Sequence, residues 1–242
     1  MKLILLAAGK SSRIYEDIGF NKCLIEVKGK SLIRHIIDNA ILSGINDISI
    51  VLGYKSKKII NHLSEYKNLK FIYNNKYRST DMVYSAYLAL KNSKKDVLIT
   101  YTDIIYSKSL FHKIKKKKLS HITLPYLTNW QKVWKIRNKN IFEDAETFYK
   151  DKKGNLIEIG KKINKSNLKN IKGQFMGLIF IPKSKINFIK TFYLKKNLKK
   201  KIQFTEFLNT LIKEKIRIKC IKYQNFWYEI DDKNDLKNML LK

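Results

Sequence analysis

Lys2-Leu3-Ile4-Leu5-Leu6-Ala7-Ala8-Gly9-Lys10-Ser11-Ser12-Arg13 stands near the start of the chain, and Lys22 lies a short distance beyond the arginine. The apolar run from Lys2 to Leu6 has the length of a fully buried strand, and Ala7, Ala8 and Gly9 end it in a tight, small-residue turn. Small residues let backbone approach a ligand closely, and successive loop amides form a nest that holds phosphate oxygens. Arg13 and Lys22 supply the cations that complete such a nest. The alternative reading of the same letters is an ordinary strand-to-helix turn with two surface charges. The spacing fits neither the Walker loop nor the glycine fingerprint of dinucleotide-binding folds.

Downstream of this stretch the alternation of elements sets the architecture. Ser31 to Leu42 carries apolar residues at helical spacing (Leu32, Ile33, Ile36, Ile37, Ala40 and Ile41), with Ser31 as N-cap and Gly44 as the stop. Asp47 to Gly53 is a second buried strand, and a crossover of this length implies a parallel pair. The pattern predicts a helix over Ser56 to Glu65, a strand over Phe71 to Asn74, a helix over Met82 to Lys91 and a strand over Asp96 to Tyr101. Alternation of this kind makes a parallel sheet covered by helices on both faces.

From Ser120 onward the connections shorten. Ile122 to Tyr126, Trp134 to Arg137, Glu146 to Tyr149 and Ile157 to Gly160 are predicted strands of a mixed or antiparallel extension. Helices are expected at Phe188 to Tyr193 and Phe204 to Glu214, a strand at Arg217 to Lys222, and a short helix from Lys233. The expected fold is therefore a three-layer α/β/α arrangement with a predominantly parallel mixed sheet, Rossmann-like in outline. One domain over 1–242 is expected, in two halves, 1–119 with the parallel alternation and 120–242 with the mixed extension. The lysine runs Lys113 to Lys118 and Lys195 to Lys201 are read as solvated helix faces or ends.

Composition narrows the function classes. The chain has 242 residues, 44% of them hydrophobic and 12% aromatic, enough apolar surface to offset its ordering entropy. Its net charge of +31 invites a nucleic-acid reading, but the excess is almost entirely lysine. Arginine, whose planar fork suits phosphate and base recognition, is confined to Arg13, Arg34, Arg78, Arg137 and Arg217. Lysine, asparagine and isoleucine are inflated together and share AT-rich codons, so no nucleic-acid partner is expected. Cys23 and Cys220 have no second ligand at metal spacing, and no run is apolar for the length of a bilayer. A soluble, cytoplasmic protein without membrane insertion is expected.

Two carboxylates carry the chemistry. Asp103 comes directly after the predicted strand ending at Tyr101, where the carboxyl ends of parallel strands place ligands. Asp231 ends the apolar run in Phe226-Trp227-Tyr228-Glu229-Ile230-Asp231-Asp232. Two aspartates from distant segments suit Mg²⁺, a hard cation that takes few carboxylates and leaves its other positions to phosphates and water. Taken singly, each is equally readable as a helix cap or a surface charge.

The segment LAAGKSSR, Lys22 and the following Lys28-Gly29-Lys30-Ser31-Leu32-Ile33 together resemble the opening signature of the sugar-nucleotidyltransferase superfamily. The block Asn74 to Ser85 resembles the phosphocholine and small-phosphate cytidylyltransferase branch. So does the middle containing Trp130, Trp134, Arg137, Asp144 to Glu146, Glu158 to Gly160 and Gly173 to Gly177. Asp81 stands where many relatives carry asparagine, and Asn21-Lys22-Cys23 departs from the usual surroundings of the lysine.

The resemblance implies a CTP-dependent enzyme that transfers CMP to a small phosphate or phosphonate, releases pyrophosphate and serves cell-surface glycan or lipid decoration. A sugar-1-phosphate nucleotidyltransferase using UTP, GTP or dTTP is the competing reading. The implied nucleotide site is Leu6, Ala7, Ala8, Gly9, Ser12, Arg13, Lys22, Thr80, Asp81, Ser85 and Thr102, with Arg13 and Lys22 catalytic on the triphosphate. Asp103 and Asp231 are the implied Mg²⁺ ligands. Acceptor binding is expected from Trp134, Arg137, Asp144, Glu146, Glu158, Gln174 and Trp227. Trp130, Trp134, Tyr149, Phe175 and Trp227 are readable either as core or as an aromatic cage for a quaternary ammonium. Asp144 and Glu146 suit an amine-bearing acceptor such as phosphocholine, 2-aminoethylphosphonate or phosphoglutamine, and Arg137 suits an acceptor carboxylate. The same reading leaves room for a homodimer.

Overall fold

The structure, a computed structural model, describes residues 1–10, 19–137, 139–196, 198 and 201–240. Strand β1 (Lys2–Ala7) is central, flanked in parallel by β4 (Ile48–Leu52) and β6 (Val97–Tyr101). Two short strands, β2 (Glu26–Val27) and β3 (Lys30–Ser31), form a hairpin before β4. Beyond β4, strand β5 (Leu69–Tyr73) closes one edge, also in parallel.

On the other side of β6 the direction reverses. Strand β12 (Leu178–Ile181) runs antiparallel to β6 and leads to β8 (Ile122–Leu127), which pairs in parallel with β13 (Ile218–Tyr223) and antiparallel with β11 (Gln174–Phe175). The eight-stranded mixed sheet therefore draws strands from the early and the late parts of the chain. Among the described residues, four further strands lie off it: β7 (Ile104–Tyr106), β9 (Glu146–Lys150), β10 (Leu156–Lys162) and β14 (Trp227–Glu229).

Alternation along the strands creates two cores. Leu3, Leu5, Ile48, Ile50 and Leu98 face one side, while Ile4, Val51, Val97 and Ile99 face the other. The first face is covered by α1 (Leu32–Leu42), α2 (Ser56–His62), α4 (Ser109–Lys115) and α5 (Trp130–Arg137). Against the second face pack α3 (Met82–Leu90), α7 (Lys183–Lys195) and α8 (Phe204–Lys213). A single turn, α6 (Ile141–Asp144), precedes β9, and α9 (Lys233–Leu240) ends the described chain. No helix among the described residues is long and apolar enough to cross a membrane.

Local chemistry explains the element limits. Ser31 caps α1, its hydroxyl accepting from the Arg34 amide, and the left-handed Gly44 lies just past the helix end. The segment 134–137, expected as a strand, is instead the end of helix α5. Trp130, Val133, Trp134 and Arg137 are its buried residues, positions i, i+3, i+4 and i+7, which is helical rather than alternating. The expected helix at 188–193 extends to Lys183–Lys195. Lysines 115–118 are exposed at the end of α4, whereas the run 195–201 falls partly outside the described residues.

Gly53, directly after β4, makes the turn beside β1 feasible. A Cβ there would stand 2.6 Å from the Ala8 carbonyl oxygen and 2.8 Å from the Tyr77 Cβ, and that same carbonyl accepts from the Tyr54 amide at 3.0 Å. Gly53→Ala is expected to cost about 1–3 kcal/mol through overpacking. A lower thermal midpoint reads this out, and a melt equal to that of the parent chain contradicts it.

Candidate active site

The carboxyl ends of β1 and β6 open onto a cavity of about 390 Å³. Leu6, Ala7, Ala8 and Gly9 form one wall, with the Thr102 hydroxyl tying the two strand ends together by donating to the Leu6 carbonyl at 3.0 Å. Thr80, Asp81 and Ser85 form the facing wall at the start of α3, where the Asp81 side chain accepts from the Met82 amide. The cavity thus brings together the described members of the expected nucleotide set. Ser12 and Arg13 lie outside the described residues.

Asn74 organises the second wall. It is almost fully buried, its amide donates to Thr80 Oγ1 at 3.1 Å and Ser85 Oγ at 3.0 Å, and its carbonyl accepts from the Lys76 amide. One side chain therefore fixes the turn before α3 and the first turns of the helix. Asn21, Asn74, Tyr77, Tyr101 and Gln203 also line the cavity and are not among the site residues expected from sequence. Asn74 lies in the block 74–85, where sequence alone does not distinguish a buried asparagine from an exposed turn residue.

The acidic end of the site is assembled by chain topology. Asp103 follows β6, and the next residues form β7, which pairs antiparallel with β14 (Trp227–Glu229). Glu229 lies opposite Ile104, and the Ile230 amide donates to the Asp103 carbonyl at 3.0 Å. This register brings Asp231 beside Asp103. Suitably placed oxygens of Asp103, Glu229 and Asp231 all lie within 4.8 Å of one another. The expected pair is therefore joined by a third carboxylate, Glu229, whose signal in the sequence is its two-residue spacing from Asp231.

Lys22 enters the cluster from a short 3-10 turn, Lys22–Leu24. Its ammonium donates to Asp231 Oδ1 at 2.8 Å and Asp103 Oδ2 at 3.1 Å. Burial alone would lower its pKa, but the carboxylates of Asp103 and Asp231 outweigh burial and hold it above the ordinary lysine value. Burial and the Asp231 charge push Glu229 well above the usual carboxylate range, against the opposing pull of Arg137. The donor set suits a hard divalent cation, because it is all oxygen and converges from two segments. Asp103 Oδ1 is buried and has no hydrogen-bond partner among the described residues.

The expected acceptor residues divide. Trp134 and Trp227 are buried and stacked, with ring centroids 6.1 Å apart and planes 10° from parallel, while Trp130 meets Trp134 edge-on. The tryptophans are core, and the aromatic-cage reading is corrected accordingly. Phe175 packs edge-on against Tyr101. Gln174 is buried, its amide spanning the Glu146 backbone: Nε2 donates to the carbonyl and Oε1 accepts from the amide. Glu158 sits on β10 opposite Tyr149 and pairs with Lys161, outside the cavity wall.

Arg137 requires a larger correction. It is fully buried, and its guanidinium meets Asp144, Glu229, Asp231 and Asp235 rather than opening toward an acceptor carboxylate. It also lies over the Trp134 ring, 5.1 Å from the centroid. Burial opposes its charge, but the hydrogen bonds to Asp235 and the surrounding carboxylates raise its pKa.

The sheet order, small-residue loop and clustered carboxylates define the nucleotidyltransferase class of α/β folds. The chain belongs to the MobA-like NTP transferase domain family, which it matches over residues 3–155. It is 32% identical to a CTP:phosphoglutamine cytidylyltransferase from Campylobacter jejuni subsp. jejuni serotype O:2, with 98% of each chain covered. The fold is shared with an inositol-1-phosphate CTP transferase from T. maritima, at a TM-score of 0.73 and 18% identity over 98% of this chain and 94% of that one. A CTP:phosphocholine cytidylyltransferase from Streptococcus pneumoniae gives a TM-score of 0.70 and 21% identity over 100% and 99% of the two chains.

Glu146 provides a pH-dependent prediction away from the clustered carboxylates. Burial and then the Asp144 charge raise its pKa above the ordinary glutamate value. An acid with a raised folded pKa loses native stability as pH climbs from its unfolded value through the folded one. Glu146→Gln is therefore expected to melt higher than the parent at neutral pH, with a gain that shrinks toward zero below pH about 4.5. Thermal melts across pH 4 to 8 measure it, and a gain that is constant with pH contradicts the assignment.

Proposed function

We propose that this chain transfers CMP from CTP to a small phosphate-bearing metabolite, releasing pyrophosphate, with an amino-acid phosphate of the phosphoglutamine type as the first acceptor to test. The observation that carries this reading is the similarity to the Campylobacter cytidylyltransferase across 98% of both chains, joined to a cavity whose walls are the expected nucleotide residues. A cytoplasmic setting, where nucleoside triphosphates are abundant, goes with it.

In this reading Ala7, Ala8 and Gly9 let the backbone approach base and ribose, while Thr80, Asp81, Ser85 and Thr102 fix their orientation. Lys22 and Arg13 balance the triphosphate charge. Asp103 and Asp231 would hold Mg²⁺, with Glu229 within reach as a third carboxylate, and the bound ion would supply neutralisation of phosphate charge. Asp144 and Glu146 offer negative charge to an amine on the acceptor.

The chemistry demands little beyond position and charge. An acceptor phosphate is ionised at neutral pH, so its oxygen is nucleophilic without a general base. It forms the new bond to the α-phosphorus as the bond to the bridging oxygen breaks, and the electron pair leaves on pyrophosphate. The residues named therefore act by orientation and electrostatic complementarity.

A pyrophosphate-release assay crossing the four NTPs with phosphoglutamine, phosphocholine, 2-aminoethylphosphonate and hexose 1-phosphates tests the proposal. CTP with an amine-bearing phosphate is expected to exceed every other pair. Best turnover with UTP, GTP or dTTP and a hexose 1-phosphate overturns it. Lys22→Ala and Asp103→Ala, checked as folded by circular dichroism, are each expected to lower turnover by about 100-fold or more. Activity close to that of the parent in either variant defeats its assignment.

A further inference from the structure

Asp231 uses its two carboxylate oxygens differently. Oδ1 accepts from Lys22 at 2.8 Å, while Oδ2 faces Arg137 Nη2 at 3.4 Å, on the interior side. Its backbone amide donates to Asp235 Oδ2 at 2.8 Å. Asp235 is fully buried and receives Arg137 side-on, Nε to Oδ1 at 2.9 Å and Nη2 to Oδ2 at 3.1 Å. Main chain and side chain of Asp231 are thus held by the same buried ion pair.

We propose that Arg137 and Asp235 are positioning residues for Asp231, which they hold with Oδ1 turned toward Lys22 and Asp103. The assignment rests on the reading of Asp231 as a cation-holding carboxylate.

Each partner is itself anchored. Asp235 donates its amide to Asp232 Oδ1 at 3.0 Å, its carbonyl accepts from the Tyr228 hydroxyl at 3.0 Å, and the Arg137 carbonyl accepts from Asn238 at 3.1 Å. These contacts bind the end of α5, strand β14 and the start of α9 into one unit. A side-on guanidinium–carboxylate pair is directional, so it fixes orientation as well as balancing charge. With its Nε–Nη2 edge on Asp235, Arg137 presents the same Nη2 to Asp231, while Nη1 faces Asp144 and Glu229. Neither Arg137 nor Asp235 lines the cavity, so both act through Asp231. Interactions that orient metal ligands commonly change metal affinity by 10–100-fold when removed.

Three variants of the full chain separate positioning from bulk stability: Arg137→Lys, Asp235→Asn and the double Arg137→Met with Asp235→Leu. The double variant removes both charges of the pair together, an exchange that often preserves stability. Mn²⁺ binding in the presence of CTP without acceptor, read as free Mn²⁺ by electron paramagnetic resonance, is measured beside thermal melts. Folded variants are expected to bind Mn²⁺ about tenfold or more weakly, and to need correspondingly more Mg²⁺ for half-maximal turnover, with KM for CTP at saturating metal changed less. Mn²⁺ affinity equal to the parent in a folded double variant overturns the proposal. Failure of all three variants to fold also overturns it, because the pair is then a folding element. Asp103→Ala and Asp231→Ala in the same titration test the underlying reading: parental Mn²⁺ affinity in both removes the cation site itself, whatever the Arg137 variants do.

Discussion

Mutual repulsion among carboxylates gathered from remote parts of the chain is the constraint around which the rest of this structure is arranged. Asp103, Glu229 and Asp231 present oxygens within 4.8 Å of one another. Two unit charges at such a distance repel by about 3–4 kcal/mol at an effective dielectric of 20. Lys22 relieves this from the cavity side and Arg137 from the interior. The two cations come from opposite parts of the sequence and approach opposite oxygens of Asp231. Docking of β14 and α9 against the sheet therefore depends on charge pairing as well as on Ile230 and Met239, which bury their side chains in the same core.

That dependence explains which parts were legible in the sequence. Strands β1, β4 and β6 and helices α1 and α3 follow from periodicity because each reports its environment locally: continuous apolar runs for the buried strands, and i, i+3, i+4 spacing with a Ser31 cap for α1. Asp103 was visible because it ends a buried strand. Helix α5 is not, because Trp134, Lys135, Ile136 and Arg137 alternate apolar and polar as a strand does, and the helical spacing shows only when Trp130 and Val133 are counted with them.

Arg137 shows why side-chain roles were harder to read than elements. From sequence alone a charged residue is assigned to solvent or to a ligand, because burying an unpaired charge is costly. Its partners, Asp144, Glu229, Asp231 and Asp235, become partners only once β14 pairs with β7 and α9 packs against α5. The same holds for the tryptophans. Trp134 and Trp227 are far apart in sequence, and only their stacking separates core from cage.

The overall charge gives the site a further property. The chain carries 51 Lys and Arg against 20 Asp and Glu, yet five of those acids, Asp103, Asp144, Glu229, Asp231 and Asp235, share the neighbourhood of Lys22 and Arg137. A strongly positive protein raises the local concentration of anionic ligands at long range, within the limits that salt screening sets. At short range the same ligands meet a cluster with more carboxylates than cations. The raised pKa of Glu229 is the protein's own response to that imbalance, with burial and the Asp231 charge both acting against its ionised form. In the proposed function, a divalent cation arriving with a polyphosphate would answer the imbalance in another way, satisfying the carboxylates and the phosphate oxygens at once. In the proposed function, attraction at distance would fall to the scattered lysines, and selectivity for a metal-bearing anion at contact to the Asp103, Glu229 and Asp231 cluster.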